Sequence, residues 1–439
     1  NAGLNRPFIG DANPIQDNLL NTYQREGNSA SATGFIDIDI IEGLKLTLNG
    51  TYHLDETRHT VVYNPYYGQF DNTGGTVNKE HDRNYNYNLQ QLLNYTRTFS
   101  DKHTAQLMLG HEYYDSKDYA LYAAKSKMFS QDNKELNGAI LDEQSAGSYM
   151  ERYNNEGYFG RLQYDYDNKI YASASLRRDA SSRFAPDHRW GTFWSAGAAW
   201  ILSKEKFMQS TENWFDMLKV KASIGSQGND NIGNFRYTDQ FNISNSGGEI
   251  GTSFKSKGTE DITWETNTNF NVGVEFQMFK RLSGSLEFYH RKTTDMLFAF
   301  TVAPSLGYAS YYDNVGDLYN QGFELTLNYN AINKKNFTWD VNFNIASLKN
   351  RITMLHEDKK TNTFYDAEGN EYKGYTDKNF IITEGESMYT WRLRDYAGVN
   401  ENGESMWWKN KYETVDNGDG TKTQKWTGRE TTTKISEAD

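Results

Sequence analysis

Five short stretches of this 439-residue chain carry residue types that could do chemistry. Asp37 and Asp39 alternate with Ile36, Ile38 and Ile40. In a strand, residues two apart share one face at about 7 Å spacing. A glycosidase pair needs burial to push its two carboxyl pKa values apart. Facing water, Asp37 and Asp39 are instead solvated residues of a wall. His111-Glu112 has no second histidine at zincin spacing, and alternation puts its members on opposite faces, so no metal is expected there. Asp416-Asn417-Gly418-Asp419-Gly420 lacks the alternating acidic ligands and bidentate glutamate of a calcium loop, and a hairpin turn is expected. Gly225-Ser226-Gln227-Gly228-Asn229 is neither a phosphate-binding loop nor a nucleophile elbow, and it fits the top of a strand. These four stretches supply no catalytic residue and call for no cofactor.

The fifth stretch, SLRRDASSRFAPDHRWGTFWSAGAAW (175–200), crowds Arg177, Arg178, Arg183 and Arg189 around Asp179 and Asp187. Such charges either bind anionic groups of a substrate or pair with neighbouring strands at a rim. Aromatic residues within polar segments are the better ligand candidates: Tyr66, Tyr67, Tyr308, Tyr311, Tyr312, Trp407 and Trp408. Sugar rings stack their C–H faces on aromatic rings, while hydroxyls bond to Asn, Asp and Gln.

The elements that must position these residues are strands. Aromatics make up 15% of the chain, with 31 Tyr, only five Pro and no Cys, which favours strands and excludes disulfide scaffolds and thiolate zinc sites. A net charge of −12 leaves no basic footprint for nucleic acid. Period-two alternation recurs with Leu44, Leu46 and Leu48, with Ala105, Leu107 and Leu109, and with Phe270, Val272, Val274 and Phe276. It recurs again with Phe323, Leu325 and Leu327 and with Phe337, Trp339, Val341, Phe343 and Ile345. Twelve strands in six hairpins are expected. Short turns fall at Glu42-Gly43, Ser100–Lys102, Asp167–Lys169, Lys280 and Asn333–Lys335, with a longer link over 203–216. Long polar stretches cover about 57–82, 117–152, 228–263, 298–317 and 350–439, with a shorter one around Pro186.

Short links on one edge and long links on the other are expected of a membrane barrel, with periplasmic turns below and extracellular loops above. No run approaches the ~20 apolar residues of a membrane helix, but a barrel strand needs only about ten, half of them facing lipid. Tyr52, Tyr95, Phe99, Tyr113, Tyr164, Tyr166, Trp200, Phe276, Tyr329 and Trp339 then stand as interface girdles. The fold class expected is an all-β, antiparallel transmembrane β-barrel in contact with outer-membrane lipid.

The run Arg177-Arg178-Asp179-Ala180-Ser181-Ser182-Arg183-Phe184, with Arg189–Phe193, Trp200 and Glu205–Met208, resembles the SusC-like outer-membrane transporters of Bacteroidetes. LKVKASIGSQGNDNIGNF (218–235), WETNTNFNVGVEF (264–276), FYHRKTTDML (288–297) and NVGDLYNQGFELTL (314–327) resemble further stretches of that family in the same order. The resemblance covers about 160–350 and implies a 22-stranded barrel, of which this chain supplies about twelve strands. It implies an N-terminal plug, a TonB box, a SusD-like surface lipoprotein as lid, and oligosaccharide or, in some members, peptide substrates. No plug is expected within 1–439, and a sequence that starts at Asn1 without Met is expected to be the middle of a longer protein. The division expected is a partial barrel domain over 1–439: the end of an extracellular loop over 1–34, strands and loops over 35–350, and a long extracellular loop region over 351–439. Because the Arg-Asp stretch looks general to the family, its charges are expected to pair at the lumen wall. Nutrient import across the outer membrane is the function the resemblance implies. A glycan-binding adhesin without transport, or a glycoside hydrolase on a β scaffold, are the competing readings.

Overall fold

The computed structural model describes residues 14–66, 71–142, 146–302, 304–416, 418 and 422–438. Twelve antiparallel strands follow one another as a meander, each paired with its sequence neighbour. They are β1 Thr22–Ile41, β2 Leu44–Tyr63, β3 Thr76–Phe99, β4 His103–Met128, β5 Gly147–Tyr166 and β6 Ile170–Ser181. Then come β7 Trp190–Ile201, β8 Phe215–Asn229, β9 Glu265–Met278, β10 Leu282–Thr294, β11 Gly316–Lys334 and β12 Phe337–Ala346. The path runs from β1 to β12, and among the described residues no pairing joins its two ends.

The register turns separate alternations into one surface. Leu44, Tyr95, Leu107, Leu162, Ala174, Ala196, Ile224 and Phe270 stand side by side from β2 to β9. Val274, Leu286, Leu325 and Ile345 continue an apolar row from β9 to β12. A one-residue slip anywhere would turn a strand's apolar set to the other face. These side chains are not a core: Leu107, Leu162, Phe270, Leu286 and Ile345 are all exposed. A continuous apolar face turned outward is the arrangement lipid requires and water does not tolerate.

Tight turns close the lower edge. Ser100-Asp101, Asp167-Asn168 and Phe279-Lys280 all take positive φ, as two-residue turns matched to strand twist demand. Gly43, at φ +82°, lies where a Cβ would come 2.4 Å from the Thr96 carbonyl oxygen, so this turn accepts only glycine.

Two expectations about boundaries change. The first strand begins at Thr22 rather than near 35, and the stretches 57–82 and 117–152 are mostly strand, with 64–75 and 129–146 between the long strands and a short strand Ala139–Asp142 in the latter pairing with β4. The strands β1 to β5 run 20 to 26 residues, whereas about ten suffice to cross lipid. Above the lipid, both faces meet water or other polar chain, so the ladder continues while the alternation that marks it in sequence disappears. The segment 351–439 is likewise structured. Lys349–Leu355 pairs with the upper half of β11, a four-stranded sheet spans 362–391, and a three-stranded sheet spans 396–432. At the handover on β11, a Cβ on Gly322 would lie 1.8 Å from the Ser347 carbonyl oxygen, so only glycine lets the two partners of β11 meet there.

The buried apolar side chains gather at the long-connection edge. Phe184, Phe193, Ile232, Ile262 and Trp264 form one cluster, Val62, Val77, Met128 and Ala139 a second, and Ile352, Leu355 and Ile382 a third.

Candidate functional site

The face opposite the apolar belt carries clusters of cross-strand hydrogen bonds and ion pairs. Glu112 accepts from Asn88 Nδ2, Gln90 Nε2 and Arg177 Nη2, each at 2.9 Å. Lys221 bridges Glu275 at 2.8 Å and Glu287 at 3.2 Å, and Lys219 reaches Glu275 at 3.1 Å. Arg291 donates to Asn269 at 2.6 Å and Thr293 to Asn267 at 2.7 Å. Cross-strand pairs of this kind hold charge without a buried core to support it. Asp37 and Asp39 belong to the same surface, both within 3.8 Å of Lys45. His111 contacts Gln91 and Glu156 while Glu112 turns to the wall described above, so the two point apart.

The arginine stretch is consumed by the rim. Arg177 donates to both oxygens of Asp179, at 2.7 and 2.8 Å. Arg183 lies 4.4 Å from the Tyr153 ring centre and donates to the Asp230 carbonyl at 3.0 Å, while Tyr153 and Ser181 donate their hydroxyls to the Asp230 carboxylate. Arg178 stacks over Trp190, and Arg189 donates to the Phe184 carbonyl. Trp264 then seals the stretch: its Nε1–H donates to Arg189 at 2.7 Å, and its ring packs on Phe184 and Phe193, each with centres 5.4 Å apart.

Of the aromatic candidates, the structure brings Tyr308 and Tyr311 together, while Tyr312 packs apart from them against the Phe184–Trp264 cluster. Tyr311 stacks on Phe300 at 5.1 Å and meets Tyr308 at 6.3 Å, and Tyr308 meets Phe254 at 5.5 Å. Tyr312 carries the Arg236 guanidinium at 4.8 Å. Tyr66 sits apart, beside Asn64, which accepts its backbone N–H at 3.1 Å. Tyr67 lies outside the described residues. Trp407 and Trp408 lie in the 405–416 strand of the three-stranded sheet. There Trp407 packs on Tyr396, and Arg429 lies over Trp408. Asp416 and Gly418 join the paired strands 405–416 and 422–432, while Asn417, Asp419 and Gly420 lie outside the described residues.

A cleft of about 900 Å3 separates the two terminal sheets, lined by Tyr365, Trp391, Arg392, Arg394, Tyr412 and Arg429 among others. Tyr365 stacks on Trp426 with centres 6.2 Å apart and an 18° interplanar angle, and meets Tyr412 edge-on at 5.8 Å. Trp391 packs on Phe380 at 4.6 Å and remains exposed. The aromatic criterion that singled out Trp407 and Trp408 applied equally to Trp391 and Trp426. What it lacked was the pairing of distant segments that brings Trp391 to the cleft and sets Trp426 behind Tyr365. Asp366 at the cleft edge accepts from Asn370, Glu368 and Tyr372, and these hydrogen bonds, the Asn370 amide first, hold its carboxyl below the usual range.

Lys359 links the tyrosine cluster to the terminal sheets. Its ammonium lies 3.3 Å from the Phe300 ring centre and 5.1 Å from that of Tyr375, almost fully buried, with no ion pair among the described residues. Burial pulls it from the ordinary 10.5 to about 8. Below pH 8 docking must bury a charge; between pH 8 and 10.5 the docked form has shed a proton that the undocked form still holds. Docking of the 297–314 hairpin therefore tightens as pH rises through that window. Spin labels at Ala299 and Lys373 should report a growing docked population from pH 8 to 10 in the parent and a flat response in Lys359→Met; a flat response in both would remove Lys359 as the titrating group.

The chain matches the TonB-dependent receptor-like β-barrel family over residues 1–432. It is 28% identical over 446 residues to the TonB-dependent receptor SusC of Bacteroides thetaiotaomicron, covering 94% of this chain and 42% of that protein. A TonB-dependent receptor of Formosa agariphila is 28% identical over 387 residues, covering 86% of this chain and 35% of the relative. Among solved structures, the RagAB peptide transporter superposes with a TM-score of 0.83 at 25% identity, over 97% of this chain and 45% of that one. The chain thus spans about two-fifths of the length of these curated relatives.

Proposed function

Because the chain belongs to the TonB-dependent receptor β-barrel family of the outer membrane, we propose that it supplies the wall and outer loops of an importer that takes up oligosaccharides, energised through TonB and working with a SusD-like surface lipoprotein. The observation that carries this reading is the two-faced sheet: an apolar belt outward, and opposite it a wall rich in Asn, Gln, Glu, Lys and Arg, with small Ser, Gly and Ala residues on its middle strands. Such a wall lets hydroxylated molecules exchange hydrogen bonds with protein as they leave those of water. No bond of the cargo is made or broken; capture and passage are the work. Tyr66, Tyr67, Tyr308, Tyr311, Tyr312, Trp407 and Trp408, with Trp391 and Tyr412 added, are the loop aromatics through which cargo and lid are met, in the extracellular region 351–439 and the loops before it. A peptide cargo is the second reading, favoured by the likeness to the RagAB peptide transporter.

Uptake of a fluorescent oligosaccharide into the periplasm of cells expressing the full-length receptor tests the proposal. Accumulation should vanish when TonB is deleted, while surface binding persists. Binding without accumulation in cells that retain TonB would leave a surface glycan-binding protein in place of an importer.

A further inference from the structure

The charge in the terminal cleft runs against the charge of the whole chain. The protein carries a net charge of −12, yet the cleft collects Arg392, Arg394 and Arg429 against Asp366 and Asp395. The two acids are already engaged. Asp366 is turned into its own loop by four donors, from Glu368, Asn370 and Tyr372. Asp395 pairs with Arg429 at 2.8 Å, and that guanidinium is fixed further by the Trp408 ring, 5.1 Å away. Arg392 and Arg394 remain. They lie two apart in the link between the two terminal sheets, both line the cleft, and both are exposed, with no ion pair or side-chain hydrogen bond among the described residues.

A guanidinium is a planar fork matched to carboxylate or sulfate, and it is held in such sites for bidentate recognition. Beside the two forks stand the exposed Trp391 ring and Tyr365, backed by Trp426, with Asn362 and Asn410 on the cleft wall. We propose that this cleft is a subsite for acidic sugar residues, in which Arg392 and Arg394 take a uronate carboxylate or a sulfate ester while the aromatic rings take the C–H faces of the pyranose. This rests on the oligosaccharide reading above and narrows its cargo to anionic glycans. Opposite charge at the cleft also draws such a ligand to an otherwise acidic protein, over the ~8–10 Å that salt leaves unscreened.

The test is a titration of the purified full-length receptor with three probes. They are a uronate tetrasaccharide, the same tetrasaccharide with its carboxyls methyl-esterified, and a sulfated tetrasaccharide on a neutral backbone. A charge-assisted pair contributes about 1.5–3 kcal/mol, so the acidic probe should bind at least about tenfold more tightly than its ester. The preference should shrink with added salt. In the double variant Arg392→Gln/Arg394→Gln it should be lost, acid and ester then binding alike. The stronger of the uronate and sulfate probes identifies the anion. Equal binding of acid and ester, or a preference that survives the double variant, overturns the anionic subsite and leaves oligosaccharide import standing. If none of the sugars binds and an acidic peptide does, the subsite falls together with the oligosaccharide cargo.

Discussion

Val272→Arg should destabilise the receptor folded in lipid by about 2–4 kcal/mol, whereas Asn271→Arg, one residue away, should leave its stability close to that of the parent. Val272 lies in the middle of the apolar set of β9, between Ala222 on one neighbour and Phe288 on the other, with its side chain exposed. In water this exposure would make the substitution harmless or even favourable. In lipid it places a guanidinium on the hydrocarbon face, which costs about 2–4 kcal/mol near the bilayer midplane. Asn271 points to the opposite face, where it approaches Ser223 at 3.5 Å among other hydrogen-bonding side chains, and an arginine there joins a wall already rich in ion pairs. Heat-modifiable mobility on gels and unfolding in urea from lipid vesicles would read the two variants against the parent. Equal behaviour of the two would mean that the apolar face meets something other than lipid.

That contrast also shows which part of the fold was legible. Phe270, Val272, Val274 and Phe276 declare a strand because lipid enforces period two on the half of the residues it touches. The upper parts of β1, β2 and β3 do not: Thr22–Gly34, 57–63 and 76–82 are strand in the structure, yet neither face is obliged to be apolar and the sequence carries no period. The arginine stretch was legible in type and not in partners. Arg177 meets Glu112 and Arg183 meets Asp230, contacts fixed by strand order rather than by neighbouring residues. The cleft is the extreme case. Tyr365 and Trp426 stack across about sixty residues, through two small sheets whose strands run from 2 to 12 residues, too short to show alternation.

Trp264→Ala should release the rim without disturbing the belt. Trp264 is 8% exposed and packs against Phe184, which has no exposed surface, and against Phe193. Burying a tryptophan this completely means that its removal costs about 3–5 kcal/mol, from lost transfer free energy and the cavity left behind. The Arg189 carbonyl also loses the indole N–H that reaches it at 2.7 Å, and a carbonyl left without its donor adds to the loss. Both effects fall on the connections 182–189 and 230–264, which supply Phe184, Ile232 and Ile262 to the same cluster. The strands below are held by ladders and by the lipid face, neither of which involves this side chain. Hydrogen exchange should therefore speed up in those two connections by orders of magnitude, as expected when local opening loses several kcal/mol, while β8, β9 and β10 keep their protection. Phe184→Leu, which keeps an apolar side chain against the indole, should show the same pattern at smaller amplitude. Loss of protection spread evenly through the strands would mean that the rim and the barrel wall unfold as one unit, and that the cluster is a keystone of the whole sheet rather than a clasp on its outer loops.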